Sequence, residues 1–311
     1  MRASISEEEK IRIAQWLLDP DCREYSGEWN LGRCEAELKK WGLWNIYSKI
    51  ELPLAPILKE MTETGIAVDG AWLEGESKKY AKELAALEKD IYRKIGKRFN
   101  LNSPKQLGEV LFSAPPAGLG IAAWKISKTK TGGYATDAAA LEAIRAAHPA
   151  ITPILKYREL FKLYSTYIEP LRALTGGDGR VRTTYLQTGT GTGRLSSENP
   201  NLQNIPQEIK PAFVAEKGFV FAAFDYSQIE LRVLASVSGD EKMMAAFHEG
   251  RDIHAATAAY VYGVPLENVT REMRHTAKTL NFGISYGMGA AAFARVAGIG
   301  RDEAQNFIDE Y

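Results

Sequence analysis

The sequence has little of what marks a secreted or membrane protein. Only two of its 311 residues are cysteines, Cys22 and Cys34, so a disulfide framework is excluded, and no Cys-x-x-Cys pair suggests a zinc site. No apolar run approaches the length of a membrane span, and the first residues lack the apolar stretch of a signal peptide. We therefore expect a cytoplasmic protein with free thiols and no membrane partner.

The sequence also lacks an excess of charge of either sign. Lys and Arg total 39, as do Asp and Glu, so the formal net charge is zero. Because phosphate binding depends on clustered cations, this balance counts against a nucleic-acid binder unless Lys and Arg are concentrated locally. The composition is that of a soluble globular protein, and the length allows two or three modest domains.

Helical periodicity predicts two short helices in the first 44 residues and two long ones later. The long ones cover about residues 71–99 and 152–174, each with an apolar stripe. Between them lies a loop that carries three lysines, Lys125, Lys128 and Lys130. This order predicts an antiparallel helical arm with a basic tip. For any single lysine a solvated surface position is the simpler interpretation, but the loop lysines have no competing acids beside them.

An unbroken apolar run, Phe219–Phe224, predicts a buried β-strand that ends at Asp225. A carboxylate in such a position must be paired or bind a cation, and Mg²⁺ takes oxygen ligands. On the residues alone, a surface carboxylate remains the simpler alternative. Ser227 and Glu230 also match a capping box at the start of a helix, which would give Glu230 a purely structural role.

A helix predicted to begin after Thr270 carries Arg274, Lys278, Phe282 and Tyr286 at intervals of four, which keeps them on one face. That face begins cationic and ends aromatic. Such an order suits a triphosphate followed by a sugar or base. The alternative is an ordinary amphipathic helix whose aromatic residues belong to the core.

The loop at residues 192–206 is rich in side chains that form hydrogen bonds, among them Arg194, Gln203 and Asn204. Side chains of this kind can reach the minor-groove acceptors that every base pair presents. Composition alone favours a simpler interpretation, a polar loop with turn residues.

The segments ELPLAPILKEMTETGIAVD (51–69), LNSPKQLGEVLF (101–112) and KTKTGGYATD (128–137) resemble the thumb of family A DNA polymerases, the family of bacterial DNA polymerase I. Four further segments resemble the same family. They are TGRLSSENPNLQNIP (residues 192–206), DYSQIELR (225–232), DIH (252–254) and RHTAKTLNFGISYG (274–287). The resemblance extends from about Tyr47 to the last residue. Residues 1–46 look like the end of a proofreading-type exonuclease domain, without its catalytic acids.

This resemblance implies an α+β right-hand polymerase fold, with a helical thumb, part of an antiparallel palm sheet and helical fingers. The implied domains are residues 1–46 (end of the exonuclease-like domain), 47–175 (thumb), 176–240 (first part of the palm) and 241–311 (fingers). The implied reaction is template-directed DNA synthesis, in which two Mg²⁺ ions assist the addition of a nucleotide to a primer 3′-hydroxyl. The partners would be primer–template DNA and deoxynucleoside triphosphates, and no oligomer is expected.

The resemblance also implies individual roles. Asp225 and the carbonyl of Tyr226 would bind metal, and Asp225, Arg274 and Lys278 would be catalytic. Glu230 would be the steric gate that excludes a ribose 2′-hydroxyl. The implied nucleotide contacts are Tyr226, Gln228, Glu230, His254, Arg274, Lys278, Phe282 and Tyr286. The implied DNA contacts are Lys128, Lys130, Arg194, Gln203 and Asn204.

One family motif is missing. The family carries a second metal-binding aspartate in a later His-Asp-Glu motif, and none of the four histidines here is followed by Asp. The sequence also ends inside a predicted helix, which we interpret as truncation, and we expect little or no activity from this chain alone. The alternative is a non-catalytic DNA-binding fragment or half of a split polymerase. A single-subunit RNA polymerase is disfavoured, because Glu230 would block ribonucleotides.

Overall fold

The computed structural model describes residues 5–21, 28–123, 126–129 and 132–310. It divides into two compact units, Met1–Phe221 and Ala222–Tyr311. Of the lysines predicted at the basic tip, Lys128 is described, whereas Lys125 and Lys130 lie outside the described residues. Cys22 lies outside them as well, and Cys34 is a buried free thiol as predicted.

The first unit is mainly helical. Its α-helices among the described residues are α1 (Glu7–Leu18), α2 (Leu31–Lys40), α3 (Trp44–Ile46), α4 (Leu52–Thr64), α5 (Gly70–Ile95), α6 (Pro104–Phe112), α7 (Ala138–Ala143), α8 (Ile151–Leu163) and α9 (Glu169–Leu174). Wider π-helical turns, Tyr47–Glu51 and Tyr164–Ile168, join α3 to α4 and α8 to α9. No helix of the described residues has both the length and the apolar character that crossing a bilayer requires.

The predicted helical arm is confirmed as α5 packed against α8 and α9. The side chain of Asp69 caps the start of α5, and Gly96 ends it in the left-handed region. Ser77, near the start of α5, bonds Glu169 at 2.6 Å, whereas Asn102, beyond its end, bonds Tyr157 at 3.3 Å. The two long helical segments are therefore antiparallel. Fully buried residues of the surrounding core include Leu73, Ile91, Leu107, Ile151, Ile154 and Ile168.

Two small antiparallel sheets complete the first unit. In one, β1 (Ile66–Ala67) pairs with β2 (Arg180–Val181), and in the other β3 (Thr184–Leu186) pairs with β4 (Ser196–Glu198). Gly65 precedes β1 with φ +65°, and an added Cβ would lie 2.7 Å from the Val181 carbonyl oxygen, so glycine is required for this approach. Residues 180–186 thus form two short strands and not one, because the chain changes partner between β2 and β3.

The first two helices do not form a separate core. Ile13 and Ala14 of α1 and Cys34 and Leu38 of α2 are buried together with Ala55 of α4. The indole N–H of Trp16 also donates to the Thr190 carbonyl at 2.8 Å. The two predicted short helices are therefore present, and they bury their apolar residues against α4.

The second unit is helical throughout its described secondary structure. It comprises α10 (Ile229–Ser238), α11 (Glu241–His248), α12 (Ile253–Tyr262), α13 (Arg271–Ser285), α14 (Ala290–Ala297) and α15 (Arg301–Glu310). The side chains of Asp240, Asp252 and Thr270 cap α11, α12 and α13, and the predicted start of α13 after Thr270 is confirmed. The core contains seven buried residues, Val261, Leu280, Ala290, Phe293, Ala297, Ala304 and Phe307.

The buried strand predicted at Phe219–Phe224 is wrong. These residues form no regular structure, and Val220 and Phe224 are 87% and 95% exposed. The sheets of the described residues contain only β1–β2 and β3–β4, so no strand pairs with this run. A lone strand cannot satisfy its backbone N–H and C=O groups internally, and water does so instead. An apolar run of this kind is buried only where a partner strand is present.

Candidate functional site

Helices α12 and α13 of the second unit pack together, and Asp252 ties them at one end. Its Oδ1 accepts hydrogen bonds from the backbone N–H groups of His254 and Ala255, at 3.0 and 3.2 Å. Its Oδ2 accepts from Arg274 Nε at 2.6 Å. One carboxylate therefore caps α12 and holds the Arg274 guanidinium at a fixed point beside it.

The net effect of these contacts is a lowered pKa for Asp252. Burial acts to raise the pKa, but the hydrogen bond and charge of Arg274 and the N–H groups of Ala255 and His254 outweigh it. The carboxylate therefore stays ionised at neutral pH, and the ion pair weakens only when the pH falls far enough to protonate it.

Around this pair the structure gathers four of the predicted nucleotide contacts. His254 is 2% exposed, and its ring centroid lies 5.8 Å from that of Phe282. Lys278 Nζ lies 5.9 Å from the centroid of Phe282. His254, Arg274, Lys278 and Phe282 thus form one group, which we call the α12–α13 face. Tyr286, at the end of α13, is 75% exposed.

Burial of the His254 imidazole lowers its pKa, and the cations Arg274 and Lys278 add to this, whereas Asp252 opposes it. The unfolded chain consequently binds more protons than the folded chain near the ordinary pKa of histidine, so stability falls as the pH is lowered through that range. We expect the free energy of unfolding of residues 222–310 to be smaller at pH 5 than at pH 8.

The measurement is urea unfolding followed by far-UV circular dichroism between pH 5 and 8, on the wild type and on His254→Asn. His254→Asn should make the free energy of unfolding depend less on pH. His275→Asn, at an exposed position, should leave that dependence unchanged. Identical slopes in the wild type and His254→Asn would show that His254 is not the group responsible.

The predicted metal-binding segment, residues 225–230, is more exposed to solvent than the α12–α13 face. Asp225 is exposed and Tyr226 is 81% exposed. Gln228 precedes α10 with φ +53°, and its side-chain oxygen is buried without a hydrogen-bond partner among the described residues. Glu230 lies half-buried in the first turn of α10. No described hydrogen bond, ion pair or ring contact joins Asp225 or Tyr226 to the α12–α13 face.

The predicted capping box at Ser227 and Glu230 is wrong. The residue that precedes α10 is Gln228, and no side chain makes a cap hydrogen bond there. Since the first helical residue is Ile229, Ser227 lies one position too early for its hydroxyl to reach the N–H groups of the first turn. The Ser227 half of the predicted capping box is therefore absent.

The residues available for a metal fit only in part. Asp225 and the Tyr226 carbonyl are oxygen donors of the kind that Mg²⁺ prefers. Within the described residues, however, no group of three or more His, Cys, Asp and Glu side chains is placed to hold a metal ion. These two donors alone do not complete a metal site.

The polar loop predicted to contact DNA is ordered by its own side chains. Asn201 Oδ1 accepts from the backbone N–H groups of Gln203 and Asn204, at 3.0 and 3.3 Å, and Gln203 Nε2 donates to the Leu195 carbonyl at 2.8 Å. Arg194, Gln203 and Asn204 are all exposed. Lys128 pairs with Tyr134 in an isolated bridge at the tip, and Lys130 lies outside the described residues.

The sequence analysis missed Asn281 and Thr257, which are buried beside His254. Asn281 is hydrogen-bonded to both Thr257 and His254, so the three side chains form a chain behind the α12–α13 face. The available signal was an asparagine at a core-facing position of α13, one residue before Phe282, where a polar side chain needs a partner.

The family defined as DNA polymerase family A matches residues 71–311. The chain belongs to that family. Its relatives include the thermostable DNA polymerase I of Thermus aquaticus, 47% identical over 96% of this chain and 39% of the relative. The DNA polymerase I of Lactococcus lactis is 44% identical over 89% of this chain and 32% of the relative.

A solved relative supports the fold of this family A chain. The POL domain of Pol1 from M. smegmatis, in complex with DNA primer-template and dNTP, matches with a TM-score of 0.84 and 33% identity. The match covers 97% of this chain and 58% of that one. The predicted α+β polymerase fold is confirmed. The chain spans about two fifths of the length of the Thermus relative.

Proposed function

We propose that this chain is part of a DNA polymerase that extends a primer by adding deoxynucleotides along a DNA template. The observation that carries the proposal is the α12–α13 face, where Arg274 and Lys278 precede Phe282 beside the buried His254. Cations suit a triphosphate, and an aromatic ring suits a sugar or base. Membership of family A supports the same conclusion.

In this proposal each residue of the face has its own task. Arg274, held at Nε by Asp252, presents the rest of its planar guanidinium to phosphate oxygens, and Lys278 adds a mobile point charge. His254 contacts the triphosphate and Phe282 packs on the sugar and base. Tyr286, exposed at the end of α13, lies near the templating position, and Gln228 adds a nucleotide contact.

Asp225 and the Tyr226 carbonyl would contribute ligands to a divalent metal, as family A polymerases generally use. We propose Mg²⁺, two ions in the complete enzyme, which would neutralise phosphate charge. The second aspartate of the family's His-Asp-Glu motif is not available in this sequence, and phosphate oxygens and water would complete the coordination in part. Glu230 would act as the steric gate against ribonucleotides.

Primer–template DNA would contact the ordered loop of residues 194–204 and the tip that carries Lys128 and Lys130. The side chains of Arg194, Gln203 and Asn204 are exposed on that loop and can donate hydrogen bonds to acceptors that all base pairs share. The assignments of thumb (47–175), palm (176–240) and fingers (241–311), the exonuclease-like residues 1–46, the cytoplasmic location and the monomeric state all stay predictions.

We expect no primer extension by residues 1–311 alone. The test uses a fluorescent primer–template, all four deoxynucleoside triphosphates and Mg²⁺, with a full-length family A polymerase as the positive control. Efficient synthesis by the isolated chain would contradict this prediction, because the acidic group of the site would then be complete without a His-Asp-Glu motif.

Binding is the test of the function itself. We expect the chain to bind primer–template DNA, with an affinity that falls steeply with salt, and to bind it more tightly when the nucleotide complementary to the template is present. Equal effects of correct and incorrect nucleotides would contradict the polymerase assignment. Tight DNA binding without extension, even after addition of a fragment carrying His-Asp-Glu, would favour the non-catalytic binding fragment instead.

A further inference from the structure

A buried side-chain network connects α12 to α13 next to the candidate phosphate-binding cations. Asn281, on α13, is 0% exposed and lies between two residues of α12. Thr257 Oγ1 donates to Asn281 Oδ1 at 2.9 Å. At the other end of the amide, Asn281 Nδ2 lies 2.9 Å from His254 Nδ1. Both ends of the amide are therefore satisfied, each by a different residue.

The network selects one form of the His254 ring. The amide nitrogen of asparagine has two N–H donors and no acceptor, so His254 Nδ1 must accept the hydrogen bond. A neutral imidazole that accepts at Nδ1 carries its proton at Nε2. In the observed arrangement the Thr257 hydroxyl donates to the amide oxygen, and the amide nitrogen therefore faces the ring.

The surroundings keep this ring neutral. His254 is 2% exposed, and the charged groups near it are Arg274 and Lys278 from α13 and Asp252 at the start of α12. Nε2 makes no hydrogen bond within the described residues, and it is not among their buried unpartnered atoms. It is consequently the ring atom that a ligand can reach.

We propose that Asn281 and Thr257 are positioning residues, which hold His254 as a neutral Nε2–H donor for a nucleoside triphosphate at the α12–α13 face. The ligand in this inference rests on the proposed function. The network gives the face one directional, uncharged donor beside two cations. A ring free to exchange tautomers would present an acceptor at Nε2 for part of the time and repel a phosphate oxygen.

The first experiment reads the tautomer directly in the nucleotide-free chain. The 311-residue chain is labelled with ¹⁵N-histidine, and its long-range ¹H–¹⁵N spectrum is recorded near pH 7.5, with His254→Gln identifying the signal. We expect a protonated Nε2 and an unprotonated Nδ1. A protonated Nδ1 would overturn the proposal.

Two substitutions with matched controls test the roles of Asn281 and Thr257. Asn281→Asp keeps the shape but replaces the donor by an acceptor, so Nδ1 should become protonated. Thr257→Val removes the hydroxyl and should produce tautomer exchange, whereas Thr257→Ser restores it and should give the wild-type spectrum. An unchanged wild-type pattern in both Asn281→Asp and Thr257→Val would overturn the positioning role. Should Asn281→Asp fail to fold, the Thr257 pair still decides the question.

Nucleotide binding supplies the functional readout. For dATP, binding should weaken about tenfold in Thr257→Val and Asn281→Asp and change less than about twofold in Thr257→Ser, as for loss of one hydrogen bond to a charged group. The predicted tautomer together with unchanged dATP affinity in the variants would overturn the positioning role. The predicted tautomer in a wild-type chain that binds no dATP would instead contradict the proposed function.

Discussion

Phe293→Ala is expected to destabilise the second unit by about 3–5 kcal/mol, the usual cost of removing a buried phenylalanine from a core. Phe293 is 0% exposed and is the largest fully buried side chain of the chain's described residues. Its ring lies 5.1 Å from that of Phe307, which connects α14 to α15. A unit with a core of seven buried residues has little stability in reserve, so this variant should lose most of its helical structure in residues 222–310.

The tryptophans allow the two units to be followed separately. All six lie before residue 222, at positions 16, 29, 41, 44, 72 and 124. Tryptophan fluorescence therefore reports on the first unit, whereas far-UV circular dichroism reports on the helices of both. We expect Phe293→Ala to lower the urea concentration at the midpoint of the dichroism transition. The midpoint of the fluorescence transition should stay unchanged.

The matched control is Phe221→Ala, which removes the same side chain where it is 62% exposed. This change should alter the free energy of unfolding by less than about 0.5 kcal/mol. A loss in Phe221→Ala as large as that in Phe293→Ala would show that residues 219–224 are buried after all and would restore the strand that the sequence predicted.

Lys278→Ala is expected to weaken deoxynucleoside triphosphate binding by about 10- to 150-fold, as for loss of a 1.5–3 kcal/mol charge-assisted hydrogen bond. Lys278 is an exposed cation on α13, one turn after Arg274 and one turn before Phe282. Arg274 already has a protein partner in Asp252, whereas Lys278 makes no ion pair within the described residues and approaches the Phe282 ring. Its ammonium group is therefore available to a phosphate.

The control for Lys278→Ala lies on the same helix. Arg271→Ala removes the same charge from an exposed position two turns earlier, where no nucleotide contact is proposed. Affinity is measured by titrating dATP into the chain at several salt concentrations. An equal loss in both variants would indicate a general effect of net charge. Unchanged affinity in Lys278→Ala would remove this residue from the proposed site.

Local sequence signals predicted the helices well because their causes are local. Thr270 caps α13 where the sequence predicted a helix to begin, since a cap needs only the N–H groups two or three residues ahead. The arm formed by α5 and α8 follows from apolar stripes of helical period. These stripes indicate which face is buried without knowledge of the partner.

Features that depend on distant partners could not be predicted in the same way. The run at Phe219–Phe224 has the composition of a buried strand, but pairing requires a second strand, and none of the described residues provides one. At Ser227 the capping pattern was present, yet α10 begins two residues later, at Ile229. The apolar run lacks a partner strand, and Ser227 lies one position too early to cap α10. Neither condition can be read from the local pattern.

The sequence alone determined the family, the helical framework and the residue types of the α12–α13 face. Motifs, caps and periodicity depend only on residues that are close together in the sequence. Only the tertiary structure decided that Asp252 holds Arg274 and that Asn281 joins Thr257 to His254. Those contacts join residues 22 to 27 positions apart. They exist because α12 and α13 pack side by side, a geometry that no local spacing specifies.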